Sequence, residues 1–400
     1  MPEKTRPTAA PVPSRDGRDP GPLSVPFNRP FTTGREAAYM TEALSSGSTG
    51  GDGPFTRRAA EHLARLLGSP RVLLTTSCTH ALELAALLLD LAPGDEVVMP
   101  SFTFTSTANA FALRGAVPVF VDVRPDTLNI DERLVEAAIT ERTRAIVVVH
   151  YAGVACEMDA ISKIADRHGI PVVEDNAHGL GGFYRGRPLG SLGALATQSF
   201  HVTKNVQCGE GGALVVNDER FAERAEILRE KGTDRSRFFR GEVDKYRWQD
   251  LGSSYLPSDV LAAFLLAQLE AFADIQARRA HIWAAYHERL AMWASANGVA
   301  RPELPPGCVH PAHLYYLLLP TPEGATALID DLARRGVQAT RHYQPLHNAP
   351  AGLRSGRTGP GGCPVTERVA DSLVRLPLFA GMDGRELAHI VDSVNRHPAR

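Results

Sequence analysis

Seven short apolar runs, spaced along residues 71–217, limit this chain more than anything else in its sequence. They are "RVLLTTS" (71–77), "DEVVMPS" (95–101), "VPVFVDV" (117–123), "RAIVVVHY" (144–151), "IPVVED" (170–175), "ATQSFH" (196–201) and "GALVVN" (212–217). Their centres are rich in Val, Ile and Leu and lack polar alternation, as expected of strands buried on both faces. Between them lie "THALELAALLLDL", "DERLVEAAIT" and "EMDAISKIADRHG", whose apolar residues recur at helical spacing. Asp131 and Glu157 open two of these segments, and Gly169 closes the third as a C-cap. Repeated strand–helix–strand units predict an α/β fold with a mainly parallel, seven-stranded sheet covered on both faces.

The pattern changes after residue 258. "SDVLAAFLLAQLEAFADIQARRAHIWAAYHERLAMW" reads as one long helical stretch, N-capped by Ser258 or Asp259. A strand at 313–320, a helix in "EGATALIDDLARRG", a strand near "VQATRHY" and closing helices near 365–375 and 385–396 follow. "GLRSGRTGPGGCP" (352–364) reads as a flexible loop. At 400 residues the chain is too long for one simple core. The expected division is a disordered Pro- and charge-rich tail (1–24), a large domain (25–265) and a smaller C-terminal α/β domain (266–400).

A net charge of -2 and the lack of a Lys/Arg block argue against a nucleic-acid partner. No apolar run reaches the roughly 20 residues of a membrane helix. Cys78, Cys156, Cys208, Cys308 and Cys363 form no CxxC pair, which favours neither a disulfide framework nor a metal site and fits a cytoplasmic protein.

In a parallel α/β sheet, ligands sit at the carboxyl ends of the strands. Only five of the 43 basic residues are lysines, and one of them, Lys204, stands in "SFHVTKNVQCGEGG" just past the sixth run. Lysine can lose its proton when desolvated and act as an amine, which arginine cannot do. Asp175 ends the fifth run, 29 residues earlier. Alone, Lys204 reads equally well as a surface loop residue and Asp175 as a helix cap. Together, on adjacent strand ends, they can reach opposite ends of one heteroaromatic ring. Pyridoxal phosphate (PLP) needs such a pair: a lysine for the Schiff base and a carboxylate to keep the pyridinium nitrogen protonated. "TTSCTHALEL" (75–84) offers Ser77, Cys78 and Thr79 at a helix start, where free N–H groups bind anions or hydroxyls simply cap. Phe102 and Phe104 offer flat faces at a third strand end. Neither a P-loop nor a GxGxxG motif occurs.

The ordered set resembles the DegT/StrS family of PLP-dependent nucleotide-sugar aminotransferases, which have the aspartate aminotransferase (type I) fold. The resemblance runs from about Val25 to the C-terminus. It looks closest to the TDP-4-keto-6-deoxyhexose 4-aminotransferases, through "GDGPFTRR", "ALLLDLAPGDEVVMPSFTFTSTANAF", "VFVDVRPDTLNID", "HYAGVACEMD", "SFHVTKN", "REKGTDRSRFFRGEVDKY" and "LGSSYL". It implies Lys204 as the Schiff-base lysine and Asp175 as the partner of the ring nitrogen. It also implies Thr79, the backbone of His80 and the Ser199 hydroxyl on the phosphate, Phe104 stacked on the ring and His178 near the phenolic oxygen. Many members carry a Gly-x-Asn-Tyr-Arg segment that reaches the neighbouring subunit's phosphate; here it reads Gly252-Ser253-Ser254-Tyr255-Leu256, leaving Ser254 as the hydrogen-bond donor. Residues 45–58 and "RHYQPLH", with Arg341, Tyr343 and His347, fall in regions that line the sugar-nucleotide site of relatives.

The implied activity is ping-pong transfer of the amino group of L-glutamate to C4 of a TDP-4-keto-6-deoxyhexose. The product would be a TDP-4-amino-4,6-dideoxyhexose of galacto or gluco configuration, made by a homodimer with active sites at its interface. Three rivals are a sugar 3-dehydrase, in which histidine replaces the Schiff-base lysine, an aminotransferase for a 3-keto nucleotide sugar, and a non-catalytic nucleotide-sugar-binding regulator. The first is disfavoured by Lys204, and the third by an intact Lys204 and Asp175.

Overall fold

Each of the seven apolar runs supplies a strand to one sheet. In the computed structural model, which describes residues 23–398 except Pro70, these are β1 (Arg71–Thr75), β2 (Glu96–Pro100), β3 (Val117–Val121), β4 (Thr143–Val149), β5 (Val172–Asp175), β6 (Leu195–Ser199) and β7 (Gly212–Val216). Strands β6, β5, β4, β2 and β3 are parallel neighbours in that order. At one edge, β7 runs antiparallel to both β6 and β1. The reversal follows from chain length: residues 200–211 join β6 to β7 without a helix, and a parallel return would need a crossover. Lys204 lies in that short excursion, and Phe200 and Val202 bond across it to Gly211 and Gly209.

Both sheet faces are covered, which explains the absence of polar alternation. Val97, Met99 and Val147 pack beneath helices α3 (Cys78–Leu88) and α4 (Thr105–Ala112). Their neighbours Val98, Ile146 and Val148 pack on the opposite face, against α5 (Glu132–Ala138) and α6 (Met158–His168). Asp131 caps α5 through the Arg133 N–H, and Gly169 closes α6 in the left-handed region at φ 63°. Glu157 precedes α6 without a side-chain cap.

A second apolar core contains Tyr286, Trp293, Tyr315, Leu317, Leu328, Leu332, Val374, Leu376 and Ile390, with Val25 added from the N-terminal side. It is built around the antiparallel pair β8 (Tyr315–Leu318) and β10 (Leu373–Leu376). We propose that the boundary between the large and small domains, expected near residue 265, lies slightly later: Leu265, Leu266 and Leu269 still pack in the large core, and Ile282 is the first residue of this stretch in the small one. Residues 1–22 of the expected tail lie outside the described residues, whereas Val25 is fully buried.

Four local expectations change. The stretch 258–293 is two helices, α7 (Asp259–Glu270) and α8 (Phe272–Arg289), bent by 62°, followed by the start of a short third. The first lies on α1 (Glu36–Ser45) and α2 (Pro54–Leu67), while the second covers the small core, and one straight helix could not serve both. Ser258 is the N-cap of α7, accepting from the Leu261 N–H. The region near 352–364 is not merely loop: a helix covers Pro350–Ser355, and β9 (Arg357–Thr358) joins the large sheet beside β3. Its Gly- and Pro-rich composition carries no trace of that sheet edge. "VQATRHY" forms only isolated bridges, Val337 with Val25 and Thr340 with Arg375. The first closing helix stops at Ser372, because Leu373-Val374-Arg375-Leu376 pairs with β8 as β10.

Asp259 does more than begin a helix. Its buried carboxylate accepts the N–H groups of Phe55 (3.2 Å) and Thr56 (2.7 Å) and the Thr56 hydroxyl (2.7 Å), capping α2 from a distance. Gly53 is required there, because a Cβ would lie 2.3 Å from Asp259 Cγ. We predict that Asp259→Ala destabilises the protein by about 2–4 kcal/mol, measured by chemical denaturation, and that Asp259→Asn recovers part of the loss by keeping one acceptor.

Candidate active site

The carboxyl ends of β1, β2, β5 and β6 converge with the small core on one cavity of about 560 Å³. Asp175, Lys204, His178, Ser77, Cys78, Thr79, Ser199 and Phe104 all line it. The elements deliver them simply: Asp175 is the last residue of β5, Ser199 the last of β6, and Ser77 the N-cap of α3.

Lys204 lies among protein atoms on the cavity wall. Burial draws its pKa down to about 8, with the Asp175 carboxylate opposing the shift. Asp175 is 5% exposed, and burial raises its pKa. Two donors oppose that rise: the Thr107 hydroxyl at 2.7 Å on Oδ2 and the Ala177 N–H at 3.2 Å on Oδ1. Thr107 donates its proton to Asp175, so Thr103, 2.8 Å away, donates to Thr107. A hydrogen-bonding cation at Asp175 would favour its charged form.

His178 is held neutral by burial, with its pKa well below the usual range. Its Nε2 lies 3.2 Å from the Tyr343 hydroxyl, while Nδ1 is buried with no partner. The ring stacks on His313 at 4.3 Å, and His313 Nδ1 meets Asn205 Oδ1 at 2.9 Å. His342, stacked on Tyr343 at 3.6 Å, also lines the cavity. Burial lowers the pKa values of His313 and His342 as well. The cavity therefore offers imidazoles that both donate and accept hydrogen bonds.

At the start of α3, the His80 N–H is taken by Ser77 Oγ. Among the described residues this leaves the N–H groups of Cys78 and Thr79 free, at a helix N-terminus facing the cavity. The Thr79 hydroxyl lies 2.8 Å from Ser106 Oγ, and both residues line the cavity. Gly212 permits this geometry: a Cβ there would fall 2.4 Å from the Cys78 nitrogen. Phe104 is 57% exposed at the cavity, whereas Phe102 is buried in the core against Tyr151.

Several expected residues are not brought together in this chain. The His80 ring bonds Thr76 and packs edge-on against Tyr255, outside the cavity lining. Ser254 is exposed in a bridge with Glu230. Arg341 turns to the Thr326 hydroxyl, and His347 bonds Ser101 and Glu367, while Tyr343 faces the cavity. In the 45–58 region, Asp52 pairs with Arg229 at 2.6 Å. Sequence reasoning missed Thr103, Thr107, His313, His342 and Arg375. His342 was within the quoted "RHYQPLH", and Arg375 was visible as a lone charge inside an apolar closing run.

These groups fit PLP. A desolvated amine, a buried carboxylate in want of a cationic partner, an orphaned imidazole nitrogen and an unfilled helix N-terminus meet in one cavity. The sequence matches the DegT/DnrJ/EryC1/StrS aminotransferase family over residues 31–395. It is 33% identical to the uncharacterised protein MJ1066 of Methanocaldococcus jannaschii over 350 residues, 86% of this chain and 90% of that protein. The aminotransferase TlmJ of Streptoalloteichus hindustanus is similar in structure, with a TM-score of 0.82, 33% identity and coverage of 90% of this chain and 94% of that one. The PLP form of the putative sugar aminotransferase Spr1654 of Streptococcus pneumoniae gives a TM-score of 0.85 at 27% identity, covering 93% and 98% of the two chains. With the family match spanning both cores and the cavity between them, the chain belongs to the DegT/DnrJ/EryC1/StrS family and is a PLP-dependent aminotransferase of the type I fold.

Proposed function

We propose that this enzyme transfers the amino group of L-glutamate to C4 of a TDP-4-keto-6-deoxyhexose, yielding a TDP-4-amino-4,6-dideoxyhexose by a ping-pong sequence. The observation that carries this reading is the cavity at Lys204. A lowered-pKa amine and a buried carboxylate share it with neutral imidazoles and hydroxyls, a lining suited to a polyhydroxylated neutral ring. The long sequence stretches that resemble the 4-aminotransferases support C4 as the position.

Bound PLP supplies an electron sink that makes the carbon bearing the amino group acidic. Asp175 would hold the ring nitrogen, Phe104 would cover a ring face, and His178 would meet the phenolic oxygen through its free Nδ1. The Cys78 and Thr79 N–H groups with the Thr79 and Ser199 hydroxyls would take the phosphate. Lys204 would anchor the cofactor and, once released, would move the proton from the donor Cα to the cofactor's C4′ carbon, and in the opposite sense in the acceptor half-reaction. An amine of pKa about 8 suits both duties near neutral pH. Thr107 and Thr103 keep Asp175 oriented for the ring nitrogen.

The assembly belongs to the same proposal: a homodimer that completes each site. Phe239, Tyr246 and Trp248 stand exposed on the segment leading to Ser254, with Trp248 77% exposed. That surface would be covered by a second copy, whose Ser254 would approach the neighbouring phosphate site.

Two outcomes are expected. In the cofactor-free protein, PLP capture, followed by absorbance, should rise about tenfold between pH 7 and 9 with a midpoint near 8. The sign follows from burial, which disfavours the ammonium form and so exposes the nucleophilic amine at lower pH; an ordinary lysine would still be gaining at pH 10. Second, incubation with TDP-4-keto-6-deoxyglucose and L-glutamate should give a 4-amino sugar nucleotide, with C4 configuration read from NMR coupling constants. Lys204→Ala should give none. Amination at C3 instead, or product from Lys204→Ala at the wild-type rate, would contradict the proposal.

A further inference from the structure

One nitrogen of the His178 ring is taken and the other is open. Nε2 lies 3.2 Å from the Tyr343 hydroxyl, and Nδ1 is buried with no partner. A neutral imidazole carries one N–H and one lone pair, so the partner of Nε2 decides what Nδ1 can offer. Burial and the charges of Lys204 and Arg375 keep this ring neutral. Two arrangements of the pair are then open. If the Tyr343 hydroxyl donates, Nε2 is the lone pair, Nδ1 carries the proton, and that N–H alone lacks a partner. If the hydroxyl accepts, Nδ1 is a bare lone pair, and the hydroxyl proton has no other acceptor among the described residues. The second arrangement leaves two groups unpaired where the first leaves one, and each is costly. Burial also raises the Tyr343 pKa above the usual phenol range, so the hydroxyl keeps its proton to give.

Packing fixes both rings in this relation. Tyr343 stacks on His342 at 3.6 Å and meets Phe102 edge-on at 5.7 Å. His178 stacks on His313 at 4.3 Å, and His313 is fixed in turn by Asn205. The Asn205 amide donates to Gln276 Oε1 (3.0 Å) and the Pro311 carbonyl (2.7 Å), so its Oδ1 accepts from His313 Nδ1.

We infer that Tyr343 is a positioning residue that sets the tautomer of His178, donating to Nε2 so that Nδ1 presents an N–H to the phenolic oxygen of PLP. That oxygen is a hydrogen-bond acceptor, and a bare Nδ1 would oppose it lone pair to lone pair. Tyr343 thus acts on the cofactor through His178, before any sugar arrives, although its place in "RHYQPLH" suggests only the sugar-nucleotide lining. The inference rests on the contact proposed between His178 and the phenolic oxygen and is independent of which keto sugar is the acceptor.

The test reads the tautomer directly. In enzyme carrying isotopically labelled histidine nitrogens, NMR separates protonated from bare ring nitrogens, and the His178 pair is identified by its absence from His178→Ala. Wild-type protein, both cofactor-free and PLP-loaded, should show Nδ1 protonated and Nε2 bare. Tyr343→Phe, which removes only the hydroxyl, should lose that preference in the cofactor-free protein. PLP affinity, measured by reconstitution, should fall about tenfold in Tyr343→Phe but less than about twofold when the same change is made in a His178→Ala background. TDP affinity, measured by calorimetry, should be unchanged. A proton on His178 Nε2 in the wild type would overturn the inference, and that measurement needs no variant to fold. So would equal PLP losses in the two backgrounds, or a Tyr343→Phe loss confined to TDP. Wild-type PLP affinity in His178→Ala would remove the His178 contact itself, and the inference with it.

Discussion

The removal of one amine from water organises this enzyme. Burial brings the Lys204 pKa to about 8, and the opposing charge of Asp175 keeps it from falling further. The amine is thus both nucleophilic and able to carry a proton near neutral pH. Everything around it serves that balance. The short β6–β7 connection presents Lys204 at the strand ends, β5 delivers Asp175 opposite, and the small core closes the cavity with neutral imidazoles that add little competing charge.

The same low-dielectric setting explains why second-layer residues matter. Burial raises the pKa of Asp175, and the Thr103–Thr107 chain works against that by donating to its carboxylate. His178 stays neutral between His313 and Tyr343, leaving one ring nitrogen for a ligand. Arg375 is the exception, a buried cation with no partner carboxylate among the described residues.

The sheet was legible because strands buried on both faces lose polar alternation, and all seven runs became strands. The placement of Lys204, Asp175 and Phe104 on one cavity was legible because parallel sheets gather such residues at their strand ends. What failed was nonlocal. Nothing in a Gly- and Pro-rich stretch announces that Arg357–Thr358 will find the edge of β3. No Gly or Pro marks the 62° bend between α7 and α8, which arises from two cores that one straight helix cannot cover. His313, His342 and Arg375 come from the small core and reach the cavity only through packing between the two halves. Reading the strand ends of the large sheet could not find them.

The most direct measurement of the central claim is borohydride reduction of the PLP-loaded enzyme followed by peptide mapping. The account predicts a single pyridoxyl label, on the peptide containing Lys204. A label on Lys163, Lys231 or Lys245, or no label on a cofactor-loaded protein, would contradict it.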